Sequence, residues 1–388
     1  RRPFTQRVMR FWWVTWAWSC GSPAAERQGQ SGEPDRGETT TASRSAGSAT
    51  PIPAVDNIVL ITIDTLRWDA RGFSGNASAQ TPTLDRLAGA GRVFSNTHAH
   101  NVVTLPSHAN ILTGVYPYQN GIRDNKGFAL DDSMPTAATI LAQAGFRTGA
   151  FVGAFPLDSR FGLDRGFEVY DDEVPEGSRP TEMVPAERRG DEVVGLARKW
   201  WADNAGQRRF LWLHLYDPHA PYEPGEPYLS QVGDPYLGEV AAVDAYLQPL
   251  IEPFLLDGEA PTLIVFTSDH GEALGDHGEA THGLFAYEAT LKVPLVIWYP
   301  GVDASVEDLP ARHVDLLPTM LDAAGVEAPA GLPGRSLLGE RKELDTVTYF
   351  ETLTPTLERG WAQLRGVLSG GYKYISLHIP ELYDQRSD

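Results

Sequence analysis

Ile58-Val59-Leu60-Ile61-Thr62-Ile63, followed at once by Asp64-Thr65-Leu66-Arg67-Trp68-Asp69, is the stretch on which the fold turns. A continuous apolar and β-branched run without polar alternation marks a strand buried on both faces, as in a parallel sheet covered by helices. The polar residues that follow then sit at the carboxyl end of the strand, the edge at which open α/β sheets place their sites.

Similar runs recur at Phe210-Leu211-Trp212-Leu213 and Leu263-Ile264-Val265-Phe266, with weaker ones at Ala150-Phe151-Val152 and Leu295-Val296-Ile297-Trp298. Helical periodicity lies between them, at Thr83–Ala90, Thr136–Ala144, Asp191–Trp201 and Val240–Leu250. Buried strands alternating with helices predict an α/β layered fold with a mostly parallel central sheet. After Leu317 the pattern changes to short strands and turns (Thr346–Phe350, Tyr372–Ile375), which predicts a small C-terminal α+β subdomain.

The chain has 388 residues, 42% of them hydrophobic, and a formal net charge of −19. That charge repels nucleic acid and other polyanions at long range. The single cysteine, Cys20, lies outside the globular region, which excludes a disulfide scaffold and cysteine-ligated zinc. Residues 1–20 place Arg1, Arg2, Arg7 and Arg10 before a short apolar run, then Ser19-Cys20-Gly21, the order of an export signal. Export to the periplasm or cell envelope is expected; Cys20 after Ala17-Trp18-Ser19 resembles a bacterial lipoprotein box, with Ala17 where that box has Leu, and offers a lipid anchor as one option. Residues 21–54, rich in Gly, Ser, Thr, Pro and Glu, read as a disordered linker. A catalytic domain over 55–317 and the subdomain over 318–388 complete the expected organisation.

The chemistry-bearing residues are concentrated in a few places. Thr104-Leu105-Pro106-Ser107-His108 runs into a short helix ended by Gly114, which sets Thr104 at the helix N-terminus, where free N–H groups and the dipole favour an anion. His214-Leu215-Tyr216-Asp217-Pro218-His219 and Ser268-Asp269-His270-Gly271-Glu272, continuing to His277 and His282, each follow or end a strand. Asp64 and Asp269 taken alone read as turn or cap residues, a reading that explains the joint pattern with His270 poorly.

These segments, in this order, resemble the sulfatase family of the alkaline-phosphatase-like superfamily over roughly residues 56–388. The likeness includes Asp64–Asp69, Thr104–Gly114, Val314-Asp315-Leu316-Leu317-Pro318-Thr319 and Glu381-Leu382-Tyr383-Asp384. Relatives usually continue beyond this last motif, so a truncated C-terminus is expected. The family signature begins with a Cys or Ser that is oxidised to formylglycine, whereas this chain has Thr104, which cannot form that aldehyde. The resemblance implies a metal-dependent ester hydrolase of the alkaline-phosphatase-like fold, with Thr104 as nucleophile forming a covalent threonyl ester. It implies one divalent metal held by Asp64, Thr104, Asp269 and His270. The imidazole shifts preference toward Zn²⁺ or Mn²⁺, with Ca²⁺ as the all-oxygen alternative.

His219 and His282 are the implied proton donors and oxygen ligands around the transferred group. A second metal, if bound, would take His219, His282 and Asp217. His214 and His277 are weaker candidates, and His98 and His100 read as structural. The family's Arg after Pro-Ser is His108 here, and its sulfate-gripping Gly-Lys-x-His reads Gly153-Ala154-Phe155-Pro156. Arg123, Lys126 and Lys292 are the replacements on offer. The missing aldehyde shifts the expected substrate from a sulfate ester toward a phosphate or phosphonate ester of a small molecule, glycan or lipid. Two alternatives stand beside this: a phospho-group transferase acting on envelope lipid or glycan, and a silent sulfatase-like binding protein. Oligomeric state has no signature in the chain.

Overall fold

The computed structural model describes residues 54–173, 188–256, 260–339 and 346–387; the expected export segment with Cys20 and nearly all of the expected linker lie outside them. Eight strands form the main sheet: β1 (Asn57–Ile63), β2 (Arg92–Phe94), β3 (Arg147–Val152), β4 (Val169–Asp171), β5 (Arg209–Leu215), β6 (Thr262–Ser268), β7 (Leu295–Trp298) and β8 (Ser305–Glu307). Their order is β4-β3-β5-β1-β6-β7-β2-β8. Only β7 runs antiparallel to its neighbours, so the α/β reading with a mostly parallel sheet holds.

β1 is the central strand, and all seven of its residues are buried. Its even-numbered apolar residues, Ile58 and Leu60, join Trp212, Val265, Leu105, Ala109 and Met320 in one core. The alternate residues Val59, Ile61 and Ile63 join Leu87, Val193, Val243 and Leu247 in the core on the other face. Each such side chain contributes about 1.5–3 kcal/mol on burial, which is why the run is uninterrupted by polar groups. The helices α1 (Pro82–Ala90), Gly190–Asp203 and Pro235–Leu256 cover the second face. Ala137–Gln143, Leu316–Ala324 and α2 (Thr104–Thr113) cover the first. The expected helices are all present; Thr136 is an N-cap, its hydroxyl accepting from the Thr139 N–H at 3.1 Å. Leu316–Ala324 runs across the expected domain limit at 317, and its buried residues belong to the main core.

Strand register fixes the site. Ile63 pairs with Leu215 on one side and with Ser268 on the other. The residues that follow β1, β5 and β6 therefore leave the sheet at one level.

A second sheet, antiparallel, is formed by β9 (Thr348–Thr352), β10 (Leu364–Ser369), β11 (Tyr372–Ser376) and β12 (Glu381–Asp384), in that order. Phe350, Leu364, Leu368 and Ile375 from this sheet share a core with Ala99, Val102, Leu291 and Val293 of the main body. Beside it the buried Lys373 donates to Glu288 Oε1 at 3.0 Å, and His98 Nε2 lies 3.0 Å from Glu288 Oε2. No helix of the described residues is long and apolar enough to cross a membrane.

Although burial opposes it, His98 and Lys373 hold the Glu288 carboxyl well below the usual carboxylate range. A depressed carboxylate contributes stability above its unfolded pKa, about 4.3, and that contribution is lost as pH falls. Glu288→Gln is expected to cost about 1 kcal/mol at pH 7, because the carboxylate is part-exposed and its pairing with Lys373 is screened by solvent. The difference from the native chain should narrow below pH 4 in urea denaturation, and a difference independent of pH would contradict the pairing.

Candidate metal centre and nucleophile

Asp64 is the first residue beyond β1, and its N–H extends the ladder to Leu215 O at 2.9 Å. Thr65 then turns the chain through φ 53°, a left-handed conformation that is costly for a β-branched residue. Three bonds hold it there. Its N–H donates to Asp269 Oδ1 at 3.2 Å, its hydroxyl to Pro218 O at 2.8 Å, and its carbonyl accepts from Tyr236 Oη at 2.9 Å. The turn leaves Asp64 facing α2.

Thr104 is the first residue of α2, which ends at Gly114 with φ 68°. Its hydroxyl donates to Asp64 Oδ2 at 3.2 Å. The next free N–H of the helix, that of Leu105, donates to Asn125 Oδ1 at 2.8 Å. Asp269 follows β6, and its Oδ1 accepts from the N–H groups of His270 and Thr65 at 2.8 and 3.2 Å. His270 Nδ1 lies 3.0 Å from the Gly271 carbonyl, which can only accept, so Nδ1 carries the hydrogen and Nε2 presents a lone pair. That Nε2 lies 3.4 Å from Asp269 Oδ2 and 4.0 Å from Asp64 Oδ1.

Asp64 Oδ1, Asp269 Oδ2 and His270 Nε2 are buried, and none has a hydrogen-bond partner among the described residues. All three are lone-pair donors directed at one another, with ligand atoms within 4.8 Å. A hydrogen-bonded interior does not leave three acceptors facing each other, whereas a divalent cation satisfies all of them. The donor set thus fits a metal. Electrostatics agree: burial, then the proximity of Asp64, pushes the Asp269 carboxyl well above its ordinary range. Burial opposes ionisation of Asp64 too, but hydrogen bonding from His214 and the field of His270 outweigh it and hold the group low. Burial and His282 push His270 down to about 3, which keeps its ring neutral and able to ligate.

His219 and His282 stand beside this group. Their rings meet edge to face at 5.1 Å, and His282 lies 4.6 Å from His270 between ring centres. His282 Nδ1 is 3.0 Å from Glu272 Oε1; burial acts against its charge, but this carboxylate prevails and raises its pKa. His219 stacks on Tyr216 at 4.3 Å with Nδ1 2.7 Å from Ala220 O, and burial lowers its pKa. Asp217 instead accepts from the Gly190 N–H at 3.0 Å.

The three cationic replacements are engaged elsewhere. Arg123 forms a two-bond pair with Glu351, Lys126 reaches Glu358 from an exposed position, and Lys292 lies over the Trp68 ring at 4.1 Å. His277 stacks on Tyr287, and His98 and His100 bond to Glu288 and the Tyr349 carbonyl. Four residues at the centre were not singled out by sequence or were ranked low: Asn125, Glu272, His108 and His214. Glu272 had a visible signal, since it completes Ser268-Asp269-His270-Gly271-Glu272. Asn125 had none, because its role depends on a loop returning to α2.

Comparison with known proteins agrees with this architecture. The family model described as Sulfatase matches residues 56–326, and that described as N-sulphoglucosamine sulphohydrolase, C-terminal, matches residues 275–388. The uncharacterized sulfatase YidJ of Escherichia coli (strain K12) is 25% identical over 406 residues, covering 86% of this chain and 81% of that protein. A structure in complex with its substrate D-glucosamine-2-N,6-O-disulfate superposes with a TM-score of 0.73 at 22% identity, covering 86% of this chain and 92% of that one. The phosphonate monoester hydrolase of Silicibacter pomeroyi gives 0.69 at 22% identity, covering 86% and 89%. The chain belongs to the sulfatase family, hydrolases acting on sulfuric or phosphoric ester bonds.

Gly271 sits where the loop carrying His270 passes the turn at Ala289, and a Cβ there would drive into the Ala289 carbonyl oxygen. Gly271→Ala is expected to cost about 1–3 kcal/mol through overpacking. Because the neighbouring His270 must shift, metal retained after dialysis should fall as well, measured by elemental analysis. Full metal retention in a destabilised variant would show that the loop tolerates displacement.

Proposed function

We propose that this chain is a metal-dependent ester hydrolase in which Thr104 is the nucleophile, acting on a phosphate or phosphonate ester in preference to a sulfate ester. The observation that carries the reading is the Thr104 hydroxyl at 3.2 Å from Asp64 Oδ2, at the N-terminus of a buried helix. A divalent cation held by Asp64, Thr104, Asp269 and His270 would supply Lewis acidity and lower the hydroxyl pKa, and the imidazole in the set favours Zn²⁺ or Mn²⁺.

Asp64 orients the Thr104 hydroxyl and takes part in drawing off its proton. The Thr104 oxygen forms a bond to the central phosphorus or sulfur as the bond to the ester oxygen breaks. His282, its charge supported by Glu272, gives a proton to the departing oxygen, with His219 alongside against the non-bridging oxygens. Water then attacks the threonyl ester, and Thr104 regains its proton. A formylglycine hydrate can expel sulfate through its second hydroxyl; a threonyl ester has no such route and needs direct hydrolysis. This difference favours phosphorus chemistry. The substrate is read as a small-molecule or glycan ester. Export to the cell envelope belongs to the same reading, on the basic-then-apolar order of residues 1–20.

The test is an ester panel of aryl sulfate, phosphate monoester, phosphate diester and phosphonate, with native and Thr104→Ala chains. Thr104→Ala is expected to lower kcat/KM on the preferred ester by about 10³-fold or more. Activity equal to the native chain would remove Thr104 as nucleophile. His282→Ala should cost about 10²-fold on alkyl esters, whose leaving oxygen needs a proton, and far less on nitrophenyl esters. An equal loss on both would assign His282 to binding instead.

A further inference from the structure

The loop from Glu272 to His282 bears the histidine and carboxylate read above as the proton donor and its support, yet little in the loop holds its own shape. Residues 274–278 are exposed, and no side chain of residues 273–282 joins a hydrophobic core among the described residues. Leu274 at φ 52° and His277 at φ 54° are left-handed, a conformation their Cβ atoms disfavour. Gly275 and Gly278 add two more left-handed residues, at φ 97° and 78°. Internal bonds close the loop on itself, from the Ala273 N–H to Thr281 O at 2.7 Å and from the Gly275 N–H to Glu279 O at 2.8 Å. Glu279 accepts from the Leu284 N–H at 2.7 Å and His277 stacks on Tyr287, which ties the loop to the chain that follows it.

The tie to the other side of the centre is Arg67. Its Nη1 donates to Glu272 O at 2.9 Å, to Ala273 O at 3.2 Å and to Asp276 Oδ2 at 3.0 Å. The opposite edge of the same guanidinium, Nε and Nη2, holds the two oxygens of Asp69 at 2.8 and 2.9 Å. The backbone of Arg67 is fixed as well: its N–H donates to Tyr236 Oη at 2.9 Å, and that hydroxyl donates to the Thr65 carbonyl. One planar fork thus joins the loop that begins with Asp64 to the loop that ends with His282. A guanidinium suits this task because its donors lie on two edges and it stays charged, whereas an ammonium is a single point and cannot hold both edges at once.

We propose that Arg67 is a positioning residue for proton donation to the departing oxygen. This rests on the reading of His282 as the proton donor. By pinning the Glu272 carbonyl, Arg67 fixes the backbone from which the buried Glu272 carboxylate reaches His282 Nδ1 at 3.0 Å, and so fixes the orientation of that ring. Arg67 makes no bond to Asp64, Thr104, Asp269 or His270 among the described residues, so its effect passes through the loop and not through the nucleophile. A displacement of about 1 Å at an acting group is enough to lower a rate about 10²-fold.

The experiment compares an alkyl and a nitrophenyl ester of the same acid in the native, Arg67→Ala and His282→Ala full chains, with bound metal measured in each. Arg67→Ala is expected to lower kcat on the alkyl ester about 10²-fold with KM near the native value, and to lower it far less on the nitrophenyl ester, whose oxygen departs without a proton. Bound metal should be unchanged. Arg67→Lys, able to reach Glu272 O or Asp69 but not both, should show the same split at smaller size. An equal loss on both esters, or native rates on both, in Arg67→Ala overturns the proposal. A split in His282→Ala without one in Arg67→Ala overturns the role of Arg67 and leaves the proposed function standing. No split in His282→Ala removes the proton-donor reading and this inference with it. Should Arg67→Ala not fold, Arg67→Lys decides, and a native ratio of its two rates overturns the proposal.

Discussion

Two carboxylates buried side by side govern this molecule. Asp64 closes β1 and Asp269 closes β6, and the parallel register of these strands brings both groups to the same level. Neither side chain is exposed, and no Lys or Arg pairs with either among the described residues. Burial of two like charges is among the least favourable arrangements a folded chain can adopt. The sheet cannot separate them without giving up the apolar register of its central strands. Compensation must come from the surroundings, and the surroundings are imidazoles, backbone N–H groups and the N-terminus of α2.

Each local peculiarity answers to that constraint. The left-handed Thr65 turns its N–H toward Asp269 while its carbonyl reaches Tyr236. α2 starts without a side-chain cap, so its N-terminal field is directed at the carboxylates, and Thr104 spends its hydroxyl hydrogen on Asp64. Asn125 takes the neighbouring Leu105 N–H and so fixes the helix start from a distant loop. Gly271 lets the chain pass under Ala289 directly after His270. In the proposed function, a cation between the carboxylates would convert this unfavourable concentration of charge into a device for binding an anionic ester.

The fold was legible in the sequence because its central strands are buried on both faces. Such strands have no alternation to misread, and Ile58–Ile63, Phe210–Leu213 and Leu263–Phe266 all lie within observed strands. Short strands at or next to the sheet edge, such as Ser305–Glu307 and Arg92–Phe94, were missed, since three residues carry no period. In the centre, Asp64, Thr104, Asp269 and His270 stood out through the family resemblance, with their placement after a strand or at a helix start in support. His108 and His214 did not, for a physical reason. One lies inside a helix and the other inside a strand, where burial of a ring looks the same whether it packs or ligates. Arg123 and Lys126 misled in the opposite sense: a charge near a motif is visible in sequence, but its partner is not, and the partners are Glu351 and Glu358.

The antiparallel C-terminal sheet shares its core with the segment that leads into α2 and with the turn after the loop carrying His270. Thr352 donates to the carbonyl of Gly283, next to His282, at 2.7 Å, and Glu351 N–H donates to His100 O at 3.0 Å. The C-terminal sheet is thus part of the wall that holds a catalytic histidine candidate in place. In translation order this has a kinetic meaning: the centre cannot acquire its final geometry until residues beyond 364 have emerged and paired. While residues 270 to 352 are being added, a nascent chain therefore carries both carboxylates without that wall.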